Sequence, residues 1–242
     1  MSIITPQSQR SKTLWPILIP KPKTRNFLVG SVGSGKSTVG ATLLEHYHWY
    51  YPKHEIYIID PKERFFSDKS DSSLLFPDGV KAINHGRMDG VTVNARFLEH
   101  ADDFRFGDTC FVIQNQDEVS KLLDWVWKHH DVRQPKLLYF DESVDYGSSR
   151  YIDPGLKRII QMGREKGIGH LTINQRPKDI PQIFLSESER LYVMYLGDDY
   201  DRKRIVDVIN VPDKKQFERP MPQYVCAMIE SGKEQVRKFK VA

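Results

Sequence analysis

The feature that most limits what this chain can fold into is Gly30-Ser31-Val32-Gly33-Ser34-Gly35-Lys36-Ser37, which matches G-x-x-x-x-G-K-[ST] at every fixed position and is followed by Thr38. Ahead of it Phe27-Leu28-Val29 reads as an apolar strand. Behind it Val39, Leu43 and Tyr47 fall at i, i+4 and i+8, one face of a helix. Strand, glycine-rich turn and helix in that order let backbone N–H groups turn inward around a phosphate, with the helix N-terminus adding partial positive charge. Residues 30–38 are therefore the expected ATP-binding loop. Lys36 is expected to reach the β- and γ-phosphates, and Ser37 to ligate Mg²⁺.

The rest of the 242-residue chain continues the alternation of short apolar runs with helical periodicity that marks an α/β protein with parallel strands. Strands are expected at 26–30, 55–60, 110–114, 136–141, 169–174, 190–196 and 222–229. Val119, Leu122, Leu123 and Val126, and again Leu156, Ile159 and Ile160, carry the helical spacing, so 117–130 and 154–165 are expected helices. Periodicity is weak across 61–108. Pro16, Pro20 and Pro22 forbid regular helix near the start, so residues 1–25 read as an N-terminal arm and 26–242 as one domain.

Composition excludes several classes. The chain is 28% charged and 39% hydrophobic, which suits a globular protein. Its 36 basic and 32 acidic residues leave +4, a balance that permits a polyanionic partner without demanding one. Cys110 and Cys226 stand too far apart for a C-x-x-C metal knuckle or a disulfide framework. The early apolar run Leu14–Ile19 is interrupted by Pro16 and too short to span a bilayer. No membrane span and a cytoplasmic location are therefore expected. His46, His48 and His54 do not share the i, i+4 face a helical metal site needs.

Two further stretches bear on the reaction. Lys136-Leu137-Leu138-Tyr139-Phe140-Asp141-Glu142 is an apolar strand ending in two carboxylates. Asp141 is placed to hold the Mg²⁺ shell, and Glu142 to orient and deprotonate a water, which favours hydrolysis over group transfer. The strand Leu171–Ile173 then delivers Gln175 to the carboxyl edge of the sheet, where ligands of open α/β sheets bind. An amide there can contact water and γ-phosphate together.

These residues resemble the FtsK/HerA superfamily of ring-forming, DNA-pumping ATPases. The likeness rests on the phosphate loop, on Ile58-Ile59-Asp60-Pro61-Lys62, on the Asp141-Glu142 strand, and on the run from Gly163-Arg164 to Asn174-Gln175-Arg176-Pro177. It covers roughly residues 26–200. Asn174 departs from the commoner Thr but leaves Gln175 intact. The resemblance implies a RecA-like (ASCE) P-loop NTPase fold, with a mostly parallel central sheet flanked by helices. It also implies that Glu142 and Gln175 are catalytic and that Arg164 is a finger inserted into the neighbouring subunit's site. The size of the chain is similar to that of the genome-packaging ATPases of tail-less, internal-membrane viruses. The implied partners are double-stranded DNA, further copies of the chain in a pentameric or hexameric ring, and a viral portal or vertex protein, which would place it in the host cytoplasm or docked at the virion vertex. HerA-like or conjugation-type translocases are the alternative within the superfamily.

A motor that tracks the DNA backbone needs basic and aromatic side chains in its channel loops. Lys62, Arg64, Arg87, Tyr146, Arg150 and Tyr151 are the candidates, each weighed against being an ordinary solvated surface group. The rival from another class is a P-loop nucleotide kinase. Its arginine-rich lid has only Arg150, Arg158 and Arg164 to draw on across 143–165, and the Glu142–Gln175 pairing argues for water as acceptor. A second rival is a nucleotide-switched binding protein with negligible turnover.

Overall fold

A computed structural model describes residues 2–4, 17–59, 81–88, 91–97, 99–100, 104–105, 110–113, 119–143, 146–148, 151–233 and 236–241. Among them, eleven strands form one sheet. They are β1 (Ser2–Ile4), β2 (Arg25–Val29), β3 (Glu55–Ile59), β4 (Lys81–Met88), β5 (Val91–Phe97), β6 (Cys110–Ile113), β7 (Lys136–Asp141), β8 (Ile168–Asn174), β9 (Arg190–Val193), β10 (Val225–Glu230) and β11 (Val236–Val241). Their spatial order is β1-β11-β10-β9-β2-β8-β7-β3-β6-β5-β4. The six strands from β9 to β6 are mutually parallel, and antiparallel strands extend both edges. The fold is thus the α/β class expected, a mostly parallel central sheet flanked by helices.

The central strands read as nearly unbroken apolar runs because both faces are covered. Alternate residues feed opposite layers. Phe27, Val29, Tyr57, Ile59, Leu138 and Phe140 enter one core with helices α2 (Val119–Lys128) and α3 (Pro154–Met162). Leu28, Ile56, Ile58, Leu137 and Tyr139 enter the other, under α1 (Lys36–Tyr50). The spacing read in the sequence is the burial observed: Val119, Leu122, Leu123 and Val126 are all buried, as are Leu156, Ile159 and Ile160. Full burial of each such side chain contributes at most about 1.5–3 kcal/mol. The second core also takes Leu18 and Ile19. The buried Arg190 guanidinium donates to the Ile19 carbonyl, and the Tyr192 hydroxyl donates to that of Leu18.

Element boundaries depart from expectation in physically readable ways. The expected helix 154–165 ends at Met162 and tightens into a 3₁₀ turn, Gly163–Lys166, closed by Gly167 at φ 77°, the left-handed region open to glycine. The expected strand 190–196 ends at Val193 and turns toward the phosphate loop. The hairpin β4–β5 was not expected at all, and the chain's first residues, Ser2–Ile4, pair with β11 at the sheet edge. Two further helices, α4 (Gln182–Ser186) and α5 (Asp199–Val208), flank β9. No helix among the described residues is long and apolar enough to cross a membrane.

Candidate functional site

The loop between β2 and α1 is shaped by its two left-handed glycines, Gly33 at φ 75° and Gly35 at φ 90°. It is anchored on both sides. The Gly30 N–H donates to the Asn174 carbonyl (3.3 Å) at the end of β8, and the Ser31 N–H donates to the Tyr195 carbonyl (2.8 Å) beyond β9. The Ser31 hydroxyl accepts from the Gly197 N–H at 3.1 Å. Lys36 is almost buried and folds back over the loop, its Nζ 3.4 Å from the Ser31 carbonyl. Gly40, one turn into α1, lets the helix lie against β7 and β8: a Cβ there would stand 2.7 Å from Tyr139 Oη and would collide with Ile173 Cδ1.

The order β2-β8-β7 separates the phosphate loop from the carboxylate strand by one strand, and that strand carries Gln175. Asn174 is in register with Val29, and Ile173 with Asp141. Gly30, Gln175 and Glu142 therefore leave three adjacent strands at the same edge. With strands ~4.8 Å apart, Glu142 lies on the order of 10 Å across from the loop, room for a terminal phosphoryl group and a water.

Glu142 has φ 71°, a left-handed conformation uncommon for a residue with a side chain, and Gln175 Nε2 donates to its Oε1 at 2.7 Å. The two residues singled out separately in the sequence are in direct contact. Asp141 is buried at the end of β7, below this pair. A buried carboxylate and the Ser37 hydroxyl at the start of α1 are hard oxygen donors of the kind Mg²⁺ takes. Asn174, the departure from Thr, has its own place here. Its Nδ2 lies 3.4 Å from Ser143 Oγ, and its Oδ1 accepts from the Arg176 N–H at 3.0 Å, tying the ends of β7 and β8 together.

Arg164 is not brought to this edge. It sits in the 3₁₀ turn before β8, so the seven residues of that strand, about 23 Å of chain, separate it from Gln175. It is 66% exposed and donates to Glu189 Oε1 at 2.9 Å. An arginine cannot span that distance, so the guanidinium lies out of reach of its own subunit's phosphate loop.

The DNA-contact candidates divide. Lys62, Arg64 and Arg150 lie outside the described residues. Arg87 is on β4, in register with Thr92. Tyr151 is 58% exposed, in a short ribbon of Gly147–Ser148 paired with Tyr151–Ile152 directly after the carboxylate strand. Tyr146 must be withdrawn. It is buried, with its ring 5.8 Å from that of Phe140, because the Asp153 N–H donates to its carbonyl and closes the base of the ribbon over the core. Among the described residues, no three His, Cys, Asp or Glu side chains cluster as metal ligands.

A charged network at the exit of β8 was not visible in the sequence. Arg176 contacts Asp198 at 2.8 Å and Asp201 at 3.5 Å, and Lys178 contacts Asp198 at 3.0 Å. The Lys178 hydrogen bond, with one from the Tyr200 N–H, holds the Asp198 carboxyl down to about 2, whereas burial pushes Asp201 up. Segment 195–201 thus touches both the phosphate loop, through Tyr195 and Gly197, and the segment after Gln175. Asp198 is legible as the cap of α5, but nothing local names its partners.

No family model matches the chain. It is 24% identical over 213 residues to the DNA packaging ATPase P9 of Enterobacteria phage PRD1, covering 85% of this chain and 78% of that protein. Among solved structures it is similar to the genome packaging NTPase B204 of Sulfolobus turreted icosahedral virus 2 in complex with ATP-gammaS, at TM-score 0.68 and 17% identity, covering 92% of this chain and all of that one. It is also similar to the pCW3 conjugation coupling protein TcpA, at TM-score 0.59 and 12% identity, covering 90% of this chain and 60% of that one. By sequence match and by fold, the chain resembles the FtsK/HerA-type viral packaging ATPases, as its four motifs imply.

Proposed function

We propose that residues 26–242 form one ATPase unit that hydrolyses ATP to move double-stranded DNA, most concretely in packaging a viral genome, with residues 1–25 as its arm. The observation that carries this reading is the Gln175–Glu142 hydrogen bond of 2.7 Å at the sheet edge shared with the phosphate loop. It joins a carboxylate able to take a proton to an amide able to meet the γ-phosphate. By their names PRD1 P9 is a DNA packaging ATPase and B204 a genome packaging NTPase, and nucleotide hydrolysis of that kind fits the site built here.

In this mechanism the N–H groups of Gly33, Gly35, Lys36, Ser37 and Thr38 hold the triphosphate while those of Gly30 and Ser31 anchor the loop to Asn174 and Tyr195, and Lys36 leaves the Ser31 carbonyl to neutralise the β- and γ-oxygens. Ser37 and Asp141 would hold Mg²⁺, which supplies further charge neutralisation on those oxygens. Glu142 orients a water in line with the γ-phosphorus and accepts its proton. The new P–O bond forms as the bond to the bridging oxygen breaks, giving ADP and phosphate. Gln175 donates to Glu142 until a γ-phosphate competes for its amide, so the base is released when the substrate is seated. Arg164 acts on a neighbouring subunit's phosphate within a homo-oligomeric ring. Tyr151, Arg87, Lys62, Arg64 and Arg150 are the proposed channel contacts, and a portal or vertex protein is the proposed docking partner, at the virion vertex or in the host cytoplasm.

The test is phosphate release from ATP, with and without double-stranded DNA, and with nucleoside monophosphates present as acceptors. Hydrolysis stimulated by DNA is expected. Phosphorylation of a monophosphate would replace this reading with a kinase.

A further inference from the structure

Tyr224 belongs to no motif, yet its ring lies against the phosphate loop. It occupies the third position of a turn in which the Val225 N–H donates to the Pro222 carbonyl at 3.2 Å, and its φ is 58°. Glycine or asparagine is the usual occupant of a left-handed turn position, and a bulky aromatic there is an outlier held by its surroundings. The residue is 51% exposed, so burial does not explain the choice. Its Cδ1 is only 3.2 Å from where a Cβ on Gly35 would stand, and the fully buried Met194 brings its Cε to 3.6 Å of the same point. A half-exposed aromatic ring therefore borders the last glycine before Lys36.

The site has a direction. Glu142 and Gln175 fix the reacting end on the β8 and β7 side of β2, whereas Tyr224 precedes β10, on the β9 side. A triphosphate lying in the loop with its γ-end toward Glu142 must send its nucleoside away from β7, toward the start of α1 and the Tyr224 ring. We infer that Tyr224 is the stacking platform for the base of the bound nucleotide. The inference rests on the proposed ATP site and adds the residue that distinguishes a nucleotide from a bare polyphosphate. Stacking uses the π-face common to all bases, so the platform supplies affinity for a nucleoside rather than choice among bases.

The test measures binding of ATP and of inorganic tripolyphosphate to the full chain by calorimetry, in wild type, Tyr224→Ala, Tyr224→Gly and Tyr224→Phe. Ala and Gly should raise the Kd for ATP on the order of tenfold, the range of a lost base–aromatic stack, and leave tripolyphosphate unchanged. Phe should bind both ligands as wild type does. The Gly variant suits the left-handed backbone, so its loss of ATP affinity cannot be laid to a broken turn. Unchanged ATP affinity in both Ala and Gly overturns the inference, as does an equal loss for tripolyphosphate, which would make the ring a prop for the loop. Wild type that binds neither ligand overturns the ATP site itself, and the platform with it.

Discussion

Glu142 accepts a hydrogen bond from Gln175 in a backbone conformation that side chains rarely adopt, and its proposed chemistry follows from that position. Glu142→Gln removes the proposed proton acceptor but keeps the shape, so ATP binding should persist while turnover falls about 10²-fold or more, read by equilibrium binding beside steady-state phosphate release. Lys36→Ala should instead lose binding, because the cation that folds over the loop is gone. A second residue-scale effect concerns stability. His170 is fully buried, its Nδ1 2.9 Å from Thr172 Oγ1, and burial, with Arg25 nearby, pushes it down to about 3. Burial likewise pushes His46 down to about 4. The unfolded chain takes up these protons below its ordinary value near 6.5 and the folded chain does not, so stability is full above that pH and falls as pH drops toward 4. The slope is up to ~1.4 kcal/mol per pH unit for each histidine. Asp198 and Glu230, held down to about 2, lose their contribution only at lower pH. Urea melts between pH 7 and 5 should therefore show a shallower slope in His170→Gln, and an unchanged slope would remove His170 from this account.

Among the elements, α1 decides how the phosphate loop sits on the sheet. A methyl group at Gly40 would press on Tyr139 Oη and Ile173 Cδ1, and both side chains are buried in the core with nowhere to swing. Overpacking of this kind costs about 1–3 kcal/mol, more than the ~1 kcal/mol that alanine gains over glycine inside a helix. Gly40→Ala should therefore lower the denaturant midpoint and weaken nucleotide binding together, even though it improves helix propensity. How much of this was legible depended on whether the determining interaction was local. The loop, the β7 strand with its carboxylates and the β8 strand with Gln175 carry apolar runs bounded by polar signals, and all three were read at their observed places. The contact between Gln175 and Glu142 was foreshadowed because both leave strands at one edge. The hairpin β4–β5 is only half legible: Val91-Thr-Val-Asn-Ala-Arg-Phe alternates apolar and polar residues over its whole length, a strand signal, whereas Lys81-Ala-Ile-Asn-His-Gly-Arg-Met carries no sustained alternation to announce its partner. Tyr146 is not legible as a core residue because an aromatic in a loop after the carboxylate strand looks exposed until the ribbon's closing hydrogen bond folds it under. Tyr224 lies 189 residues beyond Gly35, and only tertiary structure joins them.

At the scale of the whole molecule, the parallel sheet puts two sets of candidate residues on opposite edges. Strand ends hold the phosphate loop, Glu142 and Gln175, while Arg164 stands where the strands begin, paired with Glu189. That exposed ion pair contributes little to stability, so exchanging Glu189 for a neighbour's phosphate costs little. If Arg164 serves the next subunit, hydrolysis must rise more than linearly with protein concentration, since an isolated chain lacks its finger. Arg164→Ala should bind ATP as wild type does yet lose on the order of 10³-fold in turnover. Mixing Arg164→Ala with Glu142→Gln separates the two geometries. In a mixed ring some interfaces place the intact Glu142 of one subunit opposite the intact Arg164 of the other, and those interfaces should regain activity that neither variant has alone. Were the finger to act within its own chain, every subunit in the mixture would still lack one of the two groups. Absence of any recovery, in rings shown by mass measurement to have exchanged subunits, would exclude Arg164 as a finger in trans, and the distance along β8 already leaves it no site within its own subunit.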